Sequence, residues 1–268
     1  MTHKLSGMVL RVATWNVNSV TARVDRLTGW LGTAKPDVLC LQELKSTDEA
    51  FPTAQVADLG YHAATWGTGR WNGVAILSKA EISDVQRGWP GLPEFEGGLE
   101  PRALTATCGG VRVTSVYVPN GRELGHPHFD YKLAWLDSLT AAVAEPARAE
   151  QPYAVLGDFN IAPTDADVWD MSLFTESTHV TPAERAKLAD LQAQGLAEVL
   201  PRALKYDKPY TYWDYRQLAF PKNNGMRIDL VFGNPAFVGK VTDSFVDREE
   251  RKGKGASDHA PVVVDLDL

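Results

Sequence analysis

The stretch Val155-Leu156-Gly157-Asp158-Phe159-Asn160 decides the fold. Tyr153 to Leu156 is an apolar run of strand length and reads as a buried strand. It is expected to stop at Gly157, after which a carboxylate and an amide follow at alternate positions. In extended chain, residues two apart point the same way. Asp158 and Asn160 are therefore expected to face one small target together. Gly-Asp-x-Asn is also good turn chemistry. The stretch gains its weight from four other polar clusters, each at the end of an apolar run.

Upstream, Leu10 to Thr14 reads as a strand that ends in Trp15-Asn16-Val17-Asn18-Ser19. Val20, Val24, Leu27 and Leu31 then recur at helical spacing, so a helix packs back on the sheet. Val38 to Leu41 is a short buried strand with Gln42-Glu43 at its exit. Arg70-Trp71-Asn72 is a turn before the strand Gly73–Ser78, and Gly88–Gly98 is expected to be an exposed loop. Arg102–Thr107 and Val111–Val118 form a hairpin across Gly109-Gly110, ending in Tyr117-Val118-Pro119-Asn120-Gly121. Lys132 to Val143 carries Leu133, Leu136, Leu139 and Val143 on one helical face.

Downstream, Thr181-Pro182-Ala183-Glu184 has the pattern of a capping box with proline at the first helical position. Gly195 can close that helix. Tyr210 to Tyr215 is an aromatic cluster, with Tyr210 and Tyr212 expected in the core. Arg227 to Phe232 is a strand with one inward acid, Asp229. Ser257-Asp258-His259-Ala260-Pro261 precedes the strand Val262 to Leu266. If that strand runs antiparallel to the others, all five polar clusters meet on one rim.

Many strands, few helices and several direct hairpins indicate packed sheets flanked by helices in one domain, 1–268, rather than an alternating strand-helix barrel. The net charge of −7 speaks mildly against a general polyanion binder, although acids gathered around a metal contribute to it. Cys40 and Cys108 both lie in strand-like runs and read as buried free thiols of a reducing compartment. No stretch is long and apolar enough to span a bilayer, and Met1 to Met8 lacks a signal core. A cytoplasmic enzyme is the expectation.

The rim would hold hard oxygen ligands and one imidazole, with no cysteine. That set suits Mg²⁺, with Mn²⁺ as the alternative, better than zinc. Mg²⁺ takes one or two protein carboxylates, and Glu43 and Asp258 suffice. Amides, a tyrosine hydroxyl and a histidine suit a phosphate gaining negative charge. Asp158 can orient and deprotonate water, and Asp229 can hold His259 in one orientation. Metal-assisted hydrolysis of a phosphate ester is the reaction class that follows. Taken singly, each residue has a plain structural role; agreement among the clusters carries the reading.

The segments Thr14–Asn18, Leu41–Lys45, Tyr117–Gly121, Gly157–Asn160 and Ser257–Pro261 resemble, in order and spacing, the exodeoxyribonuclease III family. These are apurinic/apyrimidinic (AP) endonucleases of the endonuclease/exonuclease/phosphatase superfamily. The resemblance runs from Val9 to Leu266 and implies a deoxyribonuclease I-like, four-layer α/β sandwich: two packed mixed β-sheets flanked by helices. Gly73–Ser78, Tyr212–Tyr215 and Gly225–Asp229 resemble the DNA-repair branch.

By resemblance, Glu43 is the principal metal ligand, with Asn16 and Asn18 beside it and Asp258 as a second metal contact. Asn18 stands where some relatives have an acid. Asp158 activates water; Asn160, Tyr117, Asn120 and His259 hold phosphate; Asp229 orients His259. Trp213, Met226 and Ile228 match the lining of a pocket for a base-less sugar, where a normal nucleotide would collide and lose stacking. Arg70, Arg102, Arg122 and Lys132 are candidates for strand-backbone contacts.

The implied activity is Mg²⁺-dependent cleavage 5′ to abasic sites in duplex DNA, with 3′→5′ exonuclease and 3′-phosphatase work, by a monomer acting on abasic or blocked 3′ ends. A phosphatase or lipid phosphodiesterase on the same fold is the runner-up. A non-catalytic DNA-binding protein is the third reading, and the intact set of acids and amides speaks against it.

Overall fold

The structure, a computed structural model, describes residues 9–268; the reading of Met1 to Met8 lies outside the described residues. The strands are β1 (Val9–Asn16), β2 (Val38–Gln42), β3 (His62–Trp66), β4 (Val74–Ser78), β5 (Ile82–Arg87), β6 (Ala103–Cys108), β7 (Val111–Tyr117), β8 (Tyr153–Asp158), β9 (Ala197–Glu198), β10 (Arg202–Ala203), β11 (Asp229–Gly233), β12 (Val241–Val246) and β13 (Val262–Asp267). They form a seven-stranded sheet, β10-β12-β13-β1-β2-β4-β3, and a six-stranded sheet, β5-β6-β7-β8-β11-β9. The principal helices are α1 (Val24–Ala34), α2 (Thr53–Ala57), α3 (Pro127–Val143) and α4 (Pro182–Ala193). Both sheets are mixed, and the four layers are those expected.

Alternation along the central strands explains why they read as continuous apolar runs. In β1, Val12 enters the core between the sheets while Ala13 and Trp15 pack under α1 with Leu27, Trp30 and Leu31. In β8, Ala154 and Leu156 face the inter-sheet core, and Val155 faces α3 and α4 with Trp135, Leu139, Leu188 and Leu191. A strand covered on both faces needs apolar residues at every position. Among the described residues no helix is long and apolar enough to cross a membrane. Cys40 and Cys108 are buried free thiols, and burial pushes both pKa values up.

The topology brings the polar clusters to one rim. β13 pairs antiparallel with β1, while β1 and β2 run parallel. In the other sheet β7 and β8 are parallel, and β11 is antiparallel to β8 with Asp229 opposite Asp158. The C-terminal ends of β1, β2, β7 and β8 therefore share an edge with the start of β13 and the start of β11.

Three local expectations change. The apolar run does not stop at Gly157: β8 continues to Asp158. Gly157 has φ +152°, and a Cβ there would lie 1.9 Å from the Val116 carbonyl oxygen, so only glycine fits between the paired strands. Gly88–Gly98 is a loop but not a free one: Leu92 is buried, and Trp89 donates to Ser138 Oγ on α3 at 3.2 Å. Helix α3 starts at Pro127, five residues before Lys132, with the His126 side chain accepting from the His128 amide. The capping box at Thr181 and Glu184 forms as expected, in both directions.

Candidate active site

The rim encloses a cleft of about 670 Å³ whose lining includes Glu43, Tyr117, Asn120, Asp158, Asn160, Asp258 and His259. Strand ends place some of these residues, and left-handed bends place the others. Asn160 does not continue an extended chain; it has φ +51°, and its amide donates to Asp158 Oδ1 at 2.9 Å. Glu43 and Asn18 have φ +57° and +44°. Each strand thus turns sharply where its functional side chain begins, and asparagine tolerates that conformation best.

The centre is a line of three groups. His259 Nδ1 lies 2.7 Å from Asp229 Oδ2, and His259 Nε2 lies 3.8 Å from Asp158 Oδ2. Asn16 Nδ2 donates to Asp158 Oδ2 at 2.9 Å. Burial lifts the Asp158 carboxyl to about 7; the facing His259 opposes this, and the Asp229 charge adds to it. Burial alone would lower His259, but Asp229 and Asp158 outweigh it and raise the imidazole to about 10. A carboxyl poised near neutrality beside a ring held cationic is suited to proton transfer next to a phosphate. The Tyr212 ring packs on His259 with centroids 5.0 Å apart.

On one side lie the oxygens suited to a cation. Glu43 and Asp258 are half-buried and line the cleft. Asn18 Nδ2 donates to Asp258 Oδ1 at 3.0 Å, and Lys45 Nζ lies 2.6 Å from Asn18 Oδ1 and 3.0 Å from Glu43 Oε1. An ammonium already bridges two of the oxygens, so the local field draws positive charge, and the all-oxygen donor set fits a hard divalent ion. Asn16 spends its amide on Asp158 and on the Asn18 backbone at 3.0 Å. It therefore orients its neighbours.

Asp158, Asp229 and His259 also lie close enough together to ligate an ion. A ring held as imidazolium has no free lone pair to offer an ion, whereas Glu43 and Asp258 present carboxylate oxygens to the cleft.

On the other side is a wall of donors. Asn160 Nδ2 donates to the Val118 carbonyl at 2.9 Å, and Asn120 Nδ2 to Asn160 Oδ1 at 3.3 Å. His179 Nε2 lies 3.0 Å from Asn160 Oδ1. Burial, then the charge of Lys132, pushes His179 down to about 3, so this ring is neutral at pH 7. Burial pushes the Tyr117 hydroxyl well above its usual range and keeps it a donor.

Several expected contacts are corrected. Lys132 is fully buried and paired with Glu184, so no DNA strand can reach it. Arg102 is buried, bonded to Glu100 at 2.6 Å, with its guanidinium 4.8 Å over the Tyr117 ring; it seats Tyr117 instead of meeting a phosphate. Trp213 is fully buried behind the wall, against Phe220 and under Arg248. Its neighbour Tyr212, expected in the core, faces the cleft, because the chain alternates there. Met226 and Ile228 do line the recess, joined by Trp169, Leu173 and Phe174. Arg122 is exposed at the cleft edge; Arg70 is exposed and does not line it. His179 and Lys45 were missed. No periodicity marks either one, and only Glu184 in the nearby capping box hinted that the chain around His179 is fixed.

Acids, amides and imidazole gathered around one cleft are the equipment of a metal-dependent phosphoesterase. The chain belongs to the Endonuclease/Exonuclease/phosphatase family, which it matches over residues 13–259. It is 29% identical to exodeoxyribonuclease III of Haemophilus influenzae, over 94% of this chain and 98% of that protein. Among solved structures it resembles the 3′ phosphatase NExo from Neisseria, bound to a product DNA hairpin, with TM-score 0.90 and 38% identity over 97% of this chain and all of that one. It also resembles an AP endonuclease from Archaeoglobus fulgidus, with TM-score 0.89 and 31% identity over 97% and 100% of the two chains.

Proposed function

We propose that the chain is a DNA-repair nuclease that hydrolyses phosphoesters in duplex DNA with Mg²⁺, or Mn²⁺ in its place. The observation that carries this reading is the Asp229–His259–Asp158 line set between a cation side and a donor wall. Asp158 takes a proton from the attacking water. Asp229 holds the His259 ring, whose positive charge faces the phosphate. Tyr117, Asn120 and Asn160 supply further donors to the oxygens that gain charge. Glu43 and Asp258 would hold the divalent ion, which supplies charge stabilisation when bound. We take residues 1–268 as one working domain, a cytoplasmic monomer.

Two kinds of work share this site: release of 3′-blocking phosphate with 3′→5′ trimming, and cleavage 5′ to an abasic sugar. His179 lines the same cleft as Met226 and Ile228, so its ring takes up space that an abasic sugar would need, which favours the first kind. The Neisseria relative, itself a 3′ phosphatase, points the same way. Abasic cleavage requires the sugar to fit beside His179. Product analysis on duplexes carrying a 3′-phosphate, a tetrahydrofuran abasic analogue or no damage, with and without EDTA, tests both. Metal-dependent release of phosphate from the 3′ end is expected. Phosphate release from soluble phosphoesters alone would reject the DNA reading.

A further inference from the structure

The site reading leaves one buried ionic pair unused. Lys132 on α3 and Glu184 on α4 are both fully buried and in direct contact. We propose that this pair is a positioning device for the reaction, fixing the donor wall of the cleft by holding the backbones of Asn120, Asn160 and His179. The proposal rests on phosphoester hydrolysis in this cleft.

The hydrogen bonds carry it. Lys132 Nζ donates to the Asn160 carbonyl at 2.7 Å and lies 3.2 Å from both the Asn120 carbonyl and Thr178 Oγ1. Glu184 Oε1 accepts from the His179 amide at 2.9 Å and from Thr178 Oγ1 at 2.6 Å. Its Oε2 accepts from the Thr181 amide and hydroxyl at 3.1 and 2.7 Å. Thr178 Oγ1 is also 3.0 Å from the Asn120 carbonyl. The three residues whose side chains form the wall come from three separate segments: the exit of β7, the exit of β8 and the approach to α4. Each one's backbone is tied to a member of the pair: Asn120 and Asn160 to Lys132, His179 to Glu184.

The loop after β7 lies directly on the pair. Gly121, at φ +94°, would place a Cβ 2.7 Å from Thr178 Oγ1 and 3.2 Å from the Lys132 side chain. Burial pulls the Lys132 ammonium down, and the adjoining Glu184 carboxylate opposes this. Glu184 is held down to about 2, because Lys132 and its other donors outweigh burial.

A buried ion pair is seldom needed for stability, since apolar residues of the same size usually serve as well or better. Apolar residues here would leave the Asn160 carbonyl and the His179 amide without partners and the Asn120 carbonyl with Thr178 Oγ1 alone, and unpaired buried groups move. A shift of about 1 Å in groups that hold a reacting phosphate costs about 100-fold in rate.

The test compares wild type with the double variant Lys132→Met/Glu184→Leu, which removes both charges and keeps the volume. Melting, kcat and KM for phosphate release from a 3′-phosphorylated duplex in Mg²⁺, and the ¹⁵N side-chain amide signals of Asn120 and Asn160 are measured together. The expected result is a lowered melting temperature with the protein still folded at the assay temperature, kcat down about 100-fold, KM within about threefold, and displaced amide signals. A folded double variant with wild-type kcat overturns the proposal, as does a kcat loss that only mirrors the unfolded fraction. If the double variant does not fold, Glu184→Gln is read by the same criteria. If wild type releases no phosphate, the proposed function falls; the amide signals still decide the pair's role, and unchanged signals reject it.

Discussion

The cleft holds two pairs of carboxylates that differ less in chemistry than in burial. Glu43 and Asp258 sit at the edge of the seven-stranded sheet, partly open to solvent, with the Glu43 side chain 17% exposed beside the Lys45 ammonium. Asp158 and Asp229 end or begin strands of the six-stranded sheet; the Asp158 side chain is 2% exposed and that of Asp229 0%. A solvated carboxylate keeps its charge cheaply and can exchange a cation. A buried one meets a desolvation cost and holds a proton or a charged ring. In the proposed function, depth below the surface is what separates the metal pair from the proton pair.

The largest effect that would break this division is expected from Asp158→Asn. Turnover should fall about 10⁴-fold with DNA binding retained, and extra metal should restore nothing. Wild-type affinity is checked by DNA titration; loss of binding and fold together would make Asp158 a structural residue. Glu43→Gln should lose about 10³-fold at low metal and recover much of it as Mg²⁺ or Mn²⁺ is raised. Mn²⁺ binding followed by electron paramagnetic resonance gives an activity-independent reading, and unchanged Mn²⁺ affinity would move the metal away from Glu43. Asp229→Asn should cost about 10²-fold.

The pH profile sharpens the same comparison. Asp158 must be ionised to act, and its raised pKa places the rise of kcat/KM near pH 7, about tenfold per pH unit below that. His259 must stay charged, so activity should fall as pH climbs towards about 10. Asp229→Asn removes support for the charged ring and should move that upper limb to lower pH. A wild-type profile flat from pH 5 to 8 would remove the proton role from the buried pair. The smallest effect is expected from His179→Ala, which opens the recess. The ratio of abasic cleavage to 3′-phosphate release should rise about tenfold, read on the paired substrates.

Much of this was legible in the sequence because the site is built from strand ends. Buried strands declare themselves as apolar runs, and the polar residues that follow them stand out. The meeting of all five clusters hung on the last strand running antiparallel, and it does pair so with β1. What the sequence hid is what distance along the chain hides. Lys132 looks like a surface charge until its partner, 52 residues later, is placed beside it. Trp213 and Tyr212 are adjacent, so a one-position phase difference decides which faces the cleft. His179 lies in no regular element, and nothing local says that it faces Asn160. The left-handed bends at Glu43 and Asn160 were likewise invisible, because the side-chain pattern carries no record of φ.

β1 lies between β13 and β2, and Ser257 Oγ donates to the Asn16 carbonyl at 2.7 Å. During synthesis, β1 must wait for β13, made much later, before it has a partner on that side. A nascent polypeptide stalled on the ribosome before Asp258 has neither the imidazole nor the second outer acid, whatever else has folded. Cutting competence thus waits for Asp258, His259 and β13, long after β8 and Asp158 have been made.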